Sequence, residues 1–397
     1  MFGISVSFIL SVALLARSTV GAPAASSSVA SVSTGSVSAP VSSSVAITSA
    51  SATGTPPSTP ASSAPQSSPT VPYVDTEPNL PLWGPNTDPN DPVVAPVRGK
   101  LGAPVLGPDN KPMDLQNPDF LAPPSTDHGS VANAKWPFSL SHNRMHTGGW
   151  ARQQNVNTLP VAKNMASVNM RLAPGAIREL HWHKTSEWAY VLKGSTQVTS
   201  VDAEGRNFVA TVGPGDLWFF PPGIPHSLQA TNDTEGGSEF ILVFDDGEFS
   251  EDSTFMLTDW LAHVPYEVLG KNFGVDQEAF AHIPEDELYL FPGTSRADSD
   301  APQSPQGTVP EPYTFALSKM NATITPGGTV KIVDSSVFKV STTIAAAEVT
   351  VNPGGIRELH WHPTMDEWSF FIEGQGRVTI FASQGNARTF DYQAGDI

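Results

Sequence analysis

The chain contains one ten-residue string twice with a single change, Ala176 to Gly355, as Pro174-Gly-Ala-Ile-Arg-Glu-Leu-His-Trp-His183 and Pro353-Gly-Gly-Ile-Arg-Glu-Leu-His-Trp-His362, and a Glu-Trp pair follows each copy, at Glu187 and Glu367. The copies lie about 180 residues apart, from His181 to His360, from Gly194 to Gly374 and from Gly215 to Gly395, far beyond the period of a stacked solenoid repeat. A repeat of that length is a duplicated domain. Around the first copy, short strand-like runs at 166–172, 187–192, 197–201, 208–212, 217–220 and 240–244 alternate with turns, which predicts an all-β sandwich or barrel. A second strand set begins near Thr314.

Outside the repeat, composition divides the chain. Residues 2–15 are mostly apolar, with small residues at Val20, Gly21, Ala22 and Ala24. Residues 1–22 therefore read as a secretory signal peptide, too short to span a bilayer comfortably. Residues 23–71 are almost entirely Ser, Ala, Thr, Pro, Val and Gly. That mixture cannot bury a core, so disorder and O-glycosylation are expected there. Residues 72–135, rich in Pro, Asn, Asp and Gly, are expected to form an extended arm wrapping the first domain. Two domains follow, at 136–290 and 291–397, linked by segments of helical character at 255–263 and 276–282.

Several function classes are excluded or favoured by charge. A net charge of −18 argues against nucleic-acid binding and would repel a small dianion at neutral pH. Acidic solution, where many carboxylates are protonated, would suit an acidic substrate. The chain has no cysteine and carries glycosylation acceptors at Asn232-Asp-Thr and Asn321-Ala-Thr, consistent with an extracellular protein that has no membrane association once mature.

The repeated string has the donor pattern of a metal site. Residues two apart on a strand share a face, so His181 and His183 project together while Trp182 points away. Glu187 follows a short turn and can return beside them. The fourth candidate is His226, set on a neighbouring strand by the Pro-Pro-Gly turn that starts at Pro221. Three neutral imidazoles and a carboxylate leave open positions on an octahedral ion and suit Mn(II) or Fe(II) better than a closed structural zinc. The remaining histidines, His128, His142, His146, His263 and His282, lack ligand spacing and are read as structural. Trp182 and Trp361 are expected to pack on the reverse faces of their strands.

Glycine, histidine and glutamate spacings from Gly175 to Gly194, followed by Gly215, Pro221, Gly223 and His226, resemble the two cupin motifs, with Ala230 where Asn is usual. Gly354, His360, His362, Glu367 and Gly374 match the first motif again, so the chain resembles a bicupin: two double-stranded β-helix (jelly-roll) barrels with a few linking helices. Within that group it is similar to the oxalate decarboxylases, on the string around Arg178, on Phe244-Asp-Asp-Gly-Glu-Phe-Ser-Glu-Asp-Ser-Thr254 and on the segment that follows to His263. Ser250, Glu251, Asp252, Ser253 and Thr254 resemble the mobile lid, with Asp252 where Asn is familiar.

That resemblance implies an enzyme that decarboxylates oxalate to formate and carbon dioxide, with manganese and dioxygen as cofactors, and that assembles with copies of itself. It implies that Glu251 shuttles a proton and that Arg178 clamps the substrate; the spacing of Arg178 from His181 is odd, so a twist or bulge is needed to aim it inward. Ser253 or Thr254 is expected to cap the helix after the lid. The duplicate arginine is Arg357. In the second copy His360, His362 and Glu367 can form a three-ligand set, but the counterpart of His226 falls beyond Ile397. The second barrel is therefore expected to be truncated, with an open edge that is an aggregation hazard. The rival readings are an oxalate oxidase that releases peroxide, a non-catalytic storage or metal-binding bicupin, and a flavonol dioxygenase. Glu251 speaks against the oxidase, the complete first ligand set against storage, and the Arg178 and Glu251 pair against a bulky flavonol.

Overall fold

The computed structural model describes the backbone of residues 7–14, residues 108, 110, 113 and 117, and all of 127–397. The expected disordered segment 23–71 and most of the arm lie outside the described residues. The chain opens with β1 (Ser7–Leu14), and the first domain contributes β2 (Asn143–His146), β3 (Gly149–Gln154), β4 (Ala166–Leu172), β5 (Ile177–Trp182), β6 (Glu187–Lys193), β7 (Thr196–Val201), β8 (Asn207–Val212), β9 (Leu217–Phe220), β10 (His226–Ala230) and β11 (Ser238–Phe244). The link holds β12 (Phe255–Met256), helices α1 (Leu257–Ala262) and α2 (Tyr266–Phe273), β13 (Leu290–Phe291) and β14 (Thr314–Phe315). The second domain has β15 (Thr323–Thr325), β16 (Gly328–Val333), β17 (Ile344–Val351), β18 (Glu367–Glu373), β19 (Gln375–Phe381) and β20 (Ala387–Gln393).

Two facing antiparallel sheets build the first barrel. One runs β14-β9-β6-β11-β4-β3-β2 and the other β12-β5-β10-β7-β8, with β13 also on β5. The larger sheet is buried on both sides, which explains why β11 reads Phe-Ile-Leu-Val-Phe without alternating polarity. Phe240, Leu242 and Phe244 face the barrel interior with Val168, Met170 and Val198. Ile241 and Val243 face the second domain, packing with Trp188, Phe219, Ile344, Trp368 and Phe370. One strand thus serves two cores. The repeat's glycines close its turns: Gly194 and its duplicate Gly374 sit at φ +65° and +80°, and a Cβ on Gly194 would meet the Gly237 carbonyl oxygen at 2.0 Å.

The link and residues 127–135, the described end of the arm, differ from expectation. Residues 276–282 make only a short 3-10 turn, Gln277–Phe280, whereas the helix α2 lies earlier. Gly274 ends α2 in the left-handed conformation, which glycine adopts at little cost. Residues 127–136 run along the second domain rather than the first. His128 and Ala387 exchange backbone hydrogen bonds, as do Trp136 and Ile397, and Lys135 forms a buried ion pair with Asp396 at 3.2 Å.

The second sheet, β15-β16-β17-β1-β18, contains the segment expected to be a leader. In the first barrel β11 lies between β4 and β6, with Phe244 opposite both Ala166 and Glu187. In the second, β1 lies between β17 and β18, with Ala13 opposite both Ala345 and Glu367. Even the register shift recurs, between Glu239 and Phe240 in β11 and between Phe8 and Ile9 in β1. The N-terminal strand therefore holds the position that Ser238–Phe244 holds in the first barrel, and covers an edge otherwise exposed between β17 and β18. A proline in a strand paired on both sides removes a ladder donor. Ser11→Pro is expected to speed amide hydrogen exchange in Ile344–Val351 and Glu367–Glu373 while leaving β4 and β6 protected, read by hydrogen–deuterium exchange mass spectrometry.

Candidate metal centre and its lid

In the first barrel β5, β6 and β10 bring four side chains together. The ligand atoms of His181, His183, Glu187 and His226 all lie within 4.8 Å of one another, and all four residues are buried. Backbone carbonyls orient the three imidazoles through Nδ1: Glu179 O at 2.6 Å from His181, Thr185 O at 2.9 Å from His183 and Ile224 O at 2.8 Å from His226. A carbonyl can only accept, so each Nδ1 carries the proton and each Nε2 presents a lone pair. Those lone pairs face Glu187 Oε2, at 3.3 Å from His183 and 3.4 Å from His226. Neutral imidazoles and a carboxylate facing one another in a buried space are suited to a cation between them. His226 Nε2 has no hydrogen-bond partner, and the donor set fits a divalent ion.

Other groups fix the carboxylate and the rings. Trp218 Nε1 donates to Glu187 Oε1 at 2.8 Å, which leaves Oε2 for an ion. Phe220 stacks on His226 at 4.3 Å between centroids. Burial, then the charge of Arg178 and the neighbouring imidazoles, holds His181 well below its ordinary value. Burial alone would raise Glu187, but the imidazoles of His226 and His183 pull it below the usual carboxylate range.

The expected bulge is present in β5. Opposite β10, His181 pairs with His226 and Arg178 with Leu228, so three steps along β5 match two along β10. The extra residue re-aims Arg178. Its side chain is fully buried and Nη2 donates to Glu251 Oε2 at 2.8 Å, while Nε has no hydrogen-bond partner. Arg178 does not pair with its neighbour Glu179, whose buried carboxylate instead accepts the backbone N–H groups of Thr258, Leu288 and Tyr289.

Glu251 is buried in a 3-10 turn, Glu251–Ser253. The expected cap is corrected: Ser250 caps this turn, accepting from Asp252 N, and α1 has no side-chain cap. Thr254 Oγ1 donates to the Glu251 carbonyl at 2.9 Å. The spacing pattern did not disclose Trp218, Gln153 or Tyr289, because each arrives from another strand or loop, nor the role of Glu179, whose N–H partners Thr258, Leu288 and Tyr289 lie far along the chain. Tyr289 alone carried a late signal, a positive φ of 55°, visible only in the backbone.

The second copy is only partly assembled. His360, His362 and Glu367 do come together, exposed, with ligand atoms within 4.8 Å. Residues 352–366 form no strand, however, and Trp361 is 82 % exposed, so the expected packing of Trp361 is not found. Arg357 is likewise exposed and, among the described residues, has no buried carboxylate partner comparable to Glu251. Trp182 does pack, stacking on Phe255 at 4.5 Å.

A cupin family model matches residues 140–280 and 315–397. Oxalate decarboxylase OxdC of Bacillus subtilis is 56 % identical over 306 residues, covering 76 % of this chain and 78 % of that protein. The chain belongs to the bicupin oxalate decarboxylases. A probable oxalate decarboxylase of Arthroderma benhamiae is 43 % identical, over 74 % of this chain and 73 % of its own length. A solved structure of the Bacillus subtilis oxalate decarboxylase, studied for its Mn(II) centres, superposes with a TM-score of 0.72 at 55 % identity, covering 76 % of this chain and 80 % of that one. The jelly-roll fold expected of the family is the fold observed, and among the described residues no helix is long and apolar enough to cross a membrane.

Trp218→Phe keeps the packing and removes the donor to Glu187. Metal affinity is expected to fall about 10- to 100-fold, measured by competition against a chelator. The metal-free protein is also expected to lose stability on acidification. Below about pH 6.5 the unfolded chain protonates His181 while the folded chain resists, and below about pH 4.5 the same holds for Glu187. Thermal melts from pH 7 to 4 check this, and bound metal should add stability at pH 7 that is progressively lost as protons compete for the same ligands.

Proposed function

We propose that the first site decarboxylates oxalate to formate and carbon dioxide in acidic solution, with Mn(II) held by His181, His183, Glu187 and His226 and with dioxygen as a cofactor. The observation that carries this reading is the buried pair of Arg178 and Glu251, 2.8 Å apart beside the four ligands. Bound manganese with dioxygen would supply the one-electron oxidation that weakens the carbon–carbon bond. Arg178 binds a substrate carboxylate and stabilises its charge, using a fork whose Nε is buried without a partner. Glu251 takes the proton from mono-protonated oxalate at a carboxylate oxygen and returns it to the carbon left after carbon dioxide departs. Overall the oxalate monoanion becomes formate and carbon dioxide, with no net proton uptake.

The closed lid keeps water out while that proton is returned. An oxidase needs no returned proton, so Glu251 at this place favours formate over peroxide as the product. Export rests on the glycosylation acceptors Asn232 and Asn321, and self-assembly rests on the family resemblance.

With manganese loaded, at about pH 4 with oxalate and dioxygen, the protein is expected to give stoichiometric formate and little peroxide. Glu251→Ala should lose formate production by at least about 100-fold while retaining manganese. Peroxide as the main parent product would replace the decarboxylase by an oxidase, and manganese bound without turnover would leave a binding protein.

A further inference from the structure

The lid is gripped from outside by a residue that no ligand spacing singles out. Arg144 projects from the edge strand β2, and its Nη1 lies 3.5 Å from the Glu251 carbonyl oxygen and 3.5 Å from Asp252 Oδ1. The guanidinium is itself anchored. Nη2 pairs with Glu287, and Cζ lies over the Tyr289 ring, 3.8 Å from its centroid. The same ring also carries Arg178 at 4.4 Å. Gln153 on β3 adds a second grip, accepting from Glu251 N at 2.9 Å and donating to Ser250 Oγ and Asp252 Oδ2 at 3.4 Å.

Resting on the reading of Glu251 as proton shuttle, we propose that Arg144 is a positioning residue for the decarboxylation. It holds the lid closed through the Glu251 carbonyl and Asp252, and thereby directs the outcome toward formate rather than peroxide. Asp252 is the position at which this lid departs from the familiar Asn, and the extra negative charge is what Arg144 meets. The grip is weak by design of its surroundings. Asp252 is 65 % exposed, so solvent screens the pair, and the bias toward the closed lid is roughly two- to fivefold. A bias of that size leaves the lid able to open for substrate and product. Deep burial of the same pair would hold it shut.

The test uses the whole chain, loaded with manganese, in the variants Arg144→Ala, Arg144→Lys and Asp252→Asn. Two quantities are read: hydrogen exchange of the amides at 251–254, which needs no turnover, and the ratio of formate to peroxide. Arg144→Ala is expected to speed that exchange severalfold and to lower the ratio severalfold, with manganese content unchanged. Arg144→Lys should restore part of both, and Asp252→Asn should produce a smaller shift in the same direction. Unchanged exchange overturns the proposal, and so does faster exchange with an unchanged ratio, because the contact would then be structural only. If the parent yields no formate at all, the functional reading fails separately, and exchange alone decides whether Arg144 holds the lid.

Discussion

One extra residue in β5 governs the site. Without that bulge, Arg178 would project away from the face that carries His181 and His183, and the buried pair with Glu251 could not form. With it, β5 and the residue that follows it supply two imidazoles, the guanidinium and the buried carboxylate of Glu179. Glu179 then holds α1 and the segment at Tyr289 in place through three backbone N–H groups. The lid, the helix behind it and the ring under both arginines are all referenced to β5.

Burial gives these contacts their strength and their direction. Inside the barrel an unpaired lone pair or charge is costly, so each imidazole is turned by a carbonyl and Glu187 is tethered by Trp218. Burial and the Arg178 charge oppose protonation of His181, and the neighbouring imidazoles keep Glu187 below the usual carboxylate range. At the barrel's mouth the balance differs. Arg144 and Asp252 are screened by solvent, which leaves the outer contacts of the lid weaker than those of the site beneath it.

The second copy shows what the same string does without such burial. His360, His362 and Glu367 approach one another through local sequence alone, yet the stretch that should match β5 forms no strand and Trp361 stays in solvent. Identical residues thus produce a sealed site in one barrel and an exposed cluster in the other. The difference lies in the strands and loops packed around them. The N-terminal strand β1 covers the gap between β17 and β18 in the register of β11, which no reading of its composition as a leader anticipates.

By itself the sequence determined the duplication, the strand-rich barrel and the identity of all four candidate ligands, because alternation on a strand and turn glycines such as Gly194 are local constraints. Alternation also called for a twist or bulge between Arg178 and His181, and the resemblance to the oxalate decarboxylases located the lid. Tertiary structure alone decided which carboxylate meets Arg178, that Trp218 reaches Glu187 and that Gln153 and Arg144 reach the segment at Glu251, that residues 127–136 lie on the second domain and that the segment at 7–14 is a strand there. These contacts join residues tens to hundreds of positions apart. Their partners are chosen by packing, by the charge left unpaired in a buried space and by the edge left open on a sheet, none of which is written in local spacing.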